Sequence, residues 1–406
     1  MLLETSTDRA FHEATAGQPL PLFRTPYLIL CVLCYVGCVL ALWTLLRTLG
    51  DRWWFGTLLL LLPRWPWLLP LGVILPWCLW RRAWTSLAVS MLAAGVVLVP
   101  IMGFRVTVPG AGLDDGTTAI RLLSMNVHRE KVRLDELARL IRETDPDLVA
   151  LQDWTSRHDS LFEGLNAAGA SWKVRREGEL LVASRFEIGE VRVLPLASIG
   201  VGPKSDRGAA ASFEIITDRG SFHLVNLHLT SPHGALLSFR EDGGELLRLN
   251  MERRWEQSAA VRELVDTLGG PVMLAGDFNT TDDSPILAEH WSDFSNAFHR
   301  AGRGLGLTYL NRTTQIRIDH VLADRHWSVL AFRLGPSIGS PHRALIVDLG
   351  LTGGVDGGRA VTQVAEPRET PEAPETPEAP EAPETSETSE TQETPEPAEA
   401  DAAHGR

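Results

Sequence analysis

The hydrophobic and polar positions divide the chain into three zones. From residue 27 to 104 apolar side chains run almost unbroken. Tyr27–Leu46 is an uncharged stretch of 20 residues bounded by Arg24 and Arg47. As a helix it would rise roughly 30 Å, the thickness of a bilayer core. Trp65–Trp80 is a second run, starting as early as Trp53 if Arg64 is accommodated, and the Arg81-Arg82 pair closes it. Trp84–Phe104 is a third, ended by Arg105, and tryptophans at 53, 54, 65, 67, 77, 80 and 84 edge these runs as an interfacial belt requires. With no polar face to solvate, the runs predict about three transmembrane helices over residues 27–105, preceded by a polar segment, 1–26. A plain signal peptide is excluded, because the first run is too long and further apolar runs follow.

The middle zone, residues 117–350, has a different rhythm. Short β-type runs recur at Ala119–Met125, Leu148–Leu151, Leu180–Ala183, Ala211–Ile216, Phe222–Leu229, Val272–Ala275, Ile316–Leu322 and Leu345–Leu349. Helical periodicity separates several of them, most clearly over Leu134–Arg142 and Met251–Leu268. This order predicts one mixed α/β domain. The third zone, residues 352–406, repeats Glu-Thr-Pro and Glu-Ala-Pro from Glu366 onward, which predicts an extended, disordered tail.

Charge follows the same division. After residue 351 there are fourteen acids and three arginines, which is −11 of the total −13, so the first 351 residues carry only −2. That excludes a globally basic nucleic-acid binder and a uniformly acidic protein. All four cysteines (Cys31, Cys34, Cys38, Cys78) lie in the apolar zone, so the middle has neither disulfides nor thiolate metal sites. Loop arginines do not orient the spans. With the N-terminus inside, Arg9, Arg24, Arg81 and Arg82 fall inside and Arg47, Arg52, Arg64 and Arg105 outside.

Polar residues gather at the ends of the middle strands: Ser124-Met-Asn126, Leu151-Gln-Asp153, Asn226-Leu-His228, Gly276-Asp277-Phe-Asn279, Arg317-Ile-Asp319-His320 and Ser340-Pro-His342. Each alone has a plainer reading, such as a carboxylate capping the next helix. Together, carboxylates, amides and imidazoles suit a hard cation with oxygen ligands and a water attacking phosphorus. The glycine of Gly276-Asp277-Phe-Asn279 is expected to permit a tight turn. A structural zinc site is disfavoured, since no close ligand spacing and no Cys are present.

This set resembles the endonuclease/exonuclease/phosphatase (DNase-I-like) superfamily over about residues 118–350. The resemblance implies a four-layer α/β sandwich, two mixed β-sheets flanked by helices. It implies that Asn126 and Asp153 hold Mg²⁺, with Mn²⁺ an alternative. His228 would assist the leaving group or contact the phosphate. Asp277 would orient or deprotonate water, and Asn279 would stabilise the transition state. Asp319 would orient His342, the base or electrostatic partner. Two positions depart from the superfamily. It usually has Glu where Asp153 stands, and Ser-Asp-His where this chain has Ser340-Pro341-His342, so anionic ligands are fewer. Asp282 or Asp283 is a candidate replacement, and Glu179 a candidate buttress for His228.

The apolar anchor joined to such a domain resembles the VanJ-like membrane phosphatases linked to teicoplanin resistance. That resemblance implies a lipid-linked pyrophosphate substrate, such as undecaprenyl pyrophosphate, and an extracytoplasmic catalytic domain in the cell membrane. Arg185 and Arg207 are the candidate phosphate contacts. A membrane-tethered nuclease or phospholipid phosphodiesterase, and a catalytically inactive adaptor displaying its tail, are the alternatives. Nucleic acid is the weaker substrate class, because the domain is near neutral and the acidic tail repels a polyanion. The oligomeric state is left open.

Overall fold

The computed structural model describes residues 25–107, 119–196, 199, 208–237, 244–312 and 314–351. The acidic tail and most of the 1–26 segment lie outside the described residues. The first apolar run is one helix, α1 (Thr25–Leu49). The second is broken: α2 (Trp54–Leu61) is followed by a turn at Leu62–Arg64, then a short helical turn and α3 (Leu71–Trp80). The two parts of this run meet at 79°. Pro63 lies at the break, where its missing N–H and ring interrupt helical hydrogen bonding. The third run, α4 (Trp84–Val96), continues as a π-helical turn over Val97–Ile101. By length and composition, α1 and α4 are apolar enough to cross a membrane, and the bent pair counts as a third span if taken as one.

Beyond the anchor lie two mixed six-stranded sheets. The chain order is β1 (Ala119–Asn126), α5 (Leu134–Thr144), β2 (Leu148–Gln152), α6 (Ser160–Ala167), β3 (Lys173–Glu177), β4 (Leu180–Ser184), β5 (Glu187–Leu194), β6 (Ala209–Thr217), β7 (Gly220–His228), α7 (Glu245–Asp266), β8 (Val272–Asp277), β9 (Ser295–Asn296), β10 (Asp319–Ala323), β11 (Trp327–Leu334) and β12 (Leu345–Leu351). One sheet runs β11-β12-β1-β2-β4-β3 and the other β9-β10-β8-β7-β6-β5. Each has one parallel pair, β1 with β2 and β7 with β8, and in each a helix makes the crossover. The expected run Ile316–Leu322 is split, because Gln315–Ile316 pairs with Tyr309–Leu310 in a separate ladder and β10 starts at Asp319.

Three apolar layers follow from the two-residue alternation of strands. Leu122, Ala150, Val182, Phe213, Leu224, Met273 and Val321 fill the space between the sheets. Their odd-parity neighbours on the first sheet, Leu123, Met125 and Leu151, face α5 and α6. Val225, Leu227 and Leu274 of the second sheet face α7. The expected four-layer α/β sandwich is therefore present.

Candidate active site

The alternation that builds the core also builds the site. On β1 the inward series is Leu122, Ser124, Asn126, and on β7 it is Phe222, Leu224, Asn226, His228. On β8 it is Met273, Ala275, Asp277, and on β10 Ala323, Val321, Asp319. Each series is apolar in the middle and polar at one end, and all the polar ends meet at one rim of the intersheet core. Asn226 fastens the sheets just below it. Gln152 Nε2 donates to Asn226 Oδ1 (2.8 Å), and Asn226 Nδ2 donates to the carbonyls of Leu151 and Leu181 (both 3.1 Å).

Asp277 is the centre of the rim and is buried. Its Oδ2 accepts from Asn126 Nδ2 at 3.0 Å and its Oδ1 from the Asn279 backbone N–H at 2.9 Å. The Nε2 atoms of His228 and His342 each lie 3.7 Å from Oδ2. His342 Nδ1 is held by both oxygens of Asp319 at 3.0 Å, and its ring meets Tyr309 at 4.8 Å. His228 Nδ1 is held by Glu179 Oε1 at 2.8 Å. The two imidazoles are thus oriented from behind by carboxylates and present their other nitrogens to the same oxygen.

These surroundings shift the protonation equilibria. Burial, then the neighbouring Asp319 charge, pushes the Asp277 carboxyl up to about 6. Burial opposes charge on His228, yet the Glu179 hydrogen bond and the nearby carboxylates raise it to about 9. His342 is also raised, its burial outweighed by Asp319 and Asp277. His320, next to Asp319, is different. Its Nε2 meets the Thr280 carbonyl at 2.9 Å, and burial lowers it to about 4, so it is a neutral structural brace.

A candidate cation site adjoins this cluster. Ligand atoms of Asp153, Glu179 and His228 lie within 4.8 Å of one another. Asn126 Oδ1, beside them at the end of β1, accepts the His128 N–H at 2.8 Å and keeps a second lone pair. Asp153 reaches inward on a left-handed backbone, φ 58°. Two carboxylates and an amide oxygen form the donor set that a hard divalent ion prefers. Glu179 adds a second anionic oxygen close to that of Asp153. For the Ser340-Pro341-His342 segment, neither of the two expected replacements is available among the described residues. Asp282 is bound by Arg317 and His299, and Asp283 by Arg64, so neither serves the centre.

Seven of the nine expected site residues (Asn126, Asp153, His228, Asp277, Asn279, Asp319, His342) therefore converge. Asn279 does so on a left-handed backbone, φ 48°, with its Nδ2 donating to Leu229 O at 2.8 Å. Arg185 does not converge. It follows β4 at the end opposite Glu179, bonds the Pro146 carbonyl and Asp145, and stacks on Trp172. Arg207 lies outside the described residues. The role expected of Gly276 also changes. Its φ is 148°, and a Cβ there would come within 1.9 Å of the Leu227 carbonyl, so it is the close pairing of β8 with β7 that demands glycine. Two contributors carry no signal in sequence: Thr308, whose Oγ1 accepts from the N–H groups of Ile318 and Asp319, and Tyr309 against His342.

Residues 123–342 match the Endonuclease/Exonuclease/phosphatase family. Among solved structures, an endonuclease/exonuclease/phosphatase from Beutenbergia cavernae is similar at 20% identity, over 58% of this chain and 72% of that one, TM-score 0.43. One from Bacteroides vulgatus is similar at 18% identity, over 58% and 99%, TM-score 0.45. Truncated Caenorhabditis elegans TDP2 is similar at 17% identity, over 57% and 97%, TM-score 0.43. Comparison with curated proteins gives no match. With more than half of its length matched, and with the six motifs converging at one rim, this chain belongs to the endonuclease/exonuclease/phosphatase family.

Proposed function

We propose that the protein is a membrane-anchored, divalent-metal-dependent phosphohydrolase whose substrate is a lipid-linked pyrophosphate such as undecaprenyl pyrophosphate. Enzymes of this family hydrolyse phosphoester bonds and depend on divalent metals. The observation that carries the reading here is the pair of carboxylate-backed imidazoles, each with Nε2 at 3.7 Å from the buried Asp277 Oδ2. A phosphoryl group seated against these nitrogens meets His228, raised to about 9 and so cationic at neutral pH, and His342, which its carboxylate neighbours also raise. Asp277, ionised above about 6, takes a proton from the attacking water. As the new P–O bond forms and the old one breaks, His228 donates its proton to the departing oxygen. Asp319 favours the charged form of His342 and holds its ring toward the phosphoryl oxygens. Asn126 and Asp153, with Glu179, are the residues that would hold Mg²⁺ (or Mn²⁺), which when bound neutralises charge on the phosphate.

The lipid assignment is supported by the anchor. A span crossing the bilayer confines the rim near the membrane surface and raises its effective concentration toward a bilayer substrate. The anchor is also fastened to the sandwich: Arg64 pairs with Asp283 and Arg254 with Asp51, both at 2.8 Å. We place the sandwich on the outer face. Arg52 and Arg64 are paired with Glu289 and Asp283 of the sandwich, so their positive charge is offset there and does not hold that side of the anchor on the inner face. Protease accessibility of the sandwich in intact cells tests that placement.

The substrate test is a panel run on the full-length protein in nanodiscs: undecaprenyl pyrophosphate, supercoiled plasmid and sphingomyelin, each with Mg²⁺. Phosphate release from the first alone is expected. Plasmid nicking or headgroup release would move the reading to a nuclease or phosphodiesterase, and silence on all three to an inactive adaptor.

A further inference from the structure

The break in the second apolar run opens onto a cavity of about 100 Å³ between anchor and sandwich. Pro63, Trp65 and Met102 line it from the anchor, and Leu305, Leu307 and Ile316 from the sandwich. The volume is about two-thirds of an engineered cavity, roughly 150 Å³, that holds a benzene ring, which gives room for a few chain carbons. On the anchor side the lining includes Trp65, which is 54% exposed.

Two buried polar side chains also line this cavity without using all their capacity. Arg317 is 4% exposed. Its guanidinium donates to Leu305 O and Asp282 Oδ2 and lies over Phe298, yet its Nε has no partner. Thr281 is 3% exposed and its Oγ1 has none. A buried donor lacking an acceptor is unfavourable, and such groups mark sites where another molecule supplies the acceptor. Gly103, the first residue after the last apolar turn, adds to the picture. Its φ is 73°, and a Cβ there would sit 2.7 Å from an Arg317 terminal nitrogen, so only glycine lets the returning chain pass this guanidinium.

The cavity is continuous in sequence with the catalytic rim on three sides. Thr281 follows the Asp277–Asn279 turn, Leu307 precedes Thr308 and Tyr309, and Arg317 stands two residues before Asp319. Apolar side chains from anchor and sandwich, the buried Arg317 guanidinium with its Asp282 partner, and closeness in sequence to the rim fit the part of an amphiphile where chain meets head.

We infer that this cavity receives the first carbons of a membrane lipid's apolar chain where it joins the phosphate, beside the buried Arg317 guanidinium. The inference rests on the lipid-pyrophosphate reading, and its test separates the two. Full-length protein in nanodiscs is photolabelled with a polyprenyl phosphate carrying a diazirine on its first isoprene unit. Hydrolysis of undecaprenyl pyrophosphate is measured beside hydrolysis of inorganic pyrophosphate, which has no chain. Label is expected on peptides containing Pro63–Trp65 and Leu305–Ile316. Leu307→Trp, which fills the cavity, is expected to remove the label and to lower kcat/KM for the lipid about tenfold, while inorganic pyrophosphate stays within about twofold. Leu305→Trp repeats the test from the neighbouring wall, and the melting temperature of each variant shows that it is folded. Label confined to the outer faces of the spans, or unchanged in both variants, would overturn the inference even where lipid hydrolysis proceeds. Label in the cavity without lipid hydrolysis would keep the lipid site and reject the proposed reaction.

Discussion

The candidate catalytic rim and the junction between anchor and sandwich both bury carboxylates, and they treat them in opposite ways. At the junction the buried charges of Asp51, Arg254 and Asp283 are closed off. Asp51 receives Arg254 at 2.8 Å and the Ser284 hydroxyl, with both members of the ion pair 1% exposed. Arg254 spends its remaining donors on Asn250, the Asn279 carbonyl and Thr280. Asp283 takes both terminal nitrogens of Arg64, at 2.8 and 2.9 Å. At the rim, Asp277 has two neutral donors and two imidazoles held just beyond hydrogen-bond range, at 3.7 Å. A fully paired buried charge stabilises an arrangement, whereas an incompletely paired one is raised in pKa and available to react. The two regions touch at Arg254, which holds the backbone of Asn279, whose own N–H supports Asp277.

Substitution separates the two behaviours most sharply at their centres. Asp277→Asn is expected to reduce kcat by about 10²–10⁴, the usual contribution of a positioned base. Its melting temperature should stay equal or rise. The raised Asp277 carboxyl favours the folded state while protonated, and that stability is lost as pH climbs through about 6, so removing the charge relieves the neutral-pH fold. Asp51→Ala should do the reverse. Leaving Arg254 buried and unpaired costs about 3–5 kcal/mol of stability, measured by denaturant unfolding, while turnover per folded molecule falls far less than in Asp277→Asn.

Proton linkage provides a finer test. With Asp277 raised to about 6 and His228 to about 9, kcat/KM should rise through the first value and fall through the second. His228 binds its proton more tightly in the folded protein, so it stabilises the fold at low pH and that support disappears as pH rises through about 9. Glu179→Gln removes the hydrogen-bonded charge that opposes burial, so the alkaline limb should move to lower pH while the acid limb stays. An unmoved alkaline limb would mean that another group controls it. The smallest expected effect is at Arg185, bound to Asp145 and Pro146 away from the rim. Arg185→Ala should leave kcat/KM within about twofold, as for an exposed surface pair.

The rim was legible in sequence because it interrupts a pattern. Asn126, His228 and Asp277 end strands whose interior positions are apolar in alternation, so a polar residue in phase with the core stands out. Asp319 was legible only through its motif, since β10 begins there and Ile316 belongs to another ladder. Edge strands were harder to read. Lys173–Glu177 is largely exposed and charged, as an edge that must avoid pairing with other chains should be, and so lacks a strand-like hydrophobic signal. Glu187–Leu194 and Trp327–Leu334 are also edges with little fully buried surface. The junction was illegible for a different reason. Asp51 and Arg254 are 203 residues apart, and each by itself reads as an ordinary loop or helix charge. Arg64 appeared to be an obstacle inside an apolar run, whereas it is the residue that ties the break in that run to Asp283. Glu179, in the turn before β4, was identifiable as a support for His228, but its approach to Asp153 depends on strand pairing that no local pattern records.

The most direct test is to follow phosphate release from undecaprenyl pyrophosphate by the full-length protein in nanodiscs through removal and return of the metal. Release should stop when a chelator is added and resume when Mg²⁺ is restored, with Asp153→Ala and Glu179→Ala each needing more Mg²⁺ for half-maximal rate. Release that continues unchanged in the chelator, or a metal requirement that neither substitution alters, would contradict the assignment of this rim as a metal-dependent phosphohydrolase site.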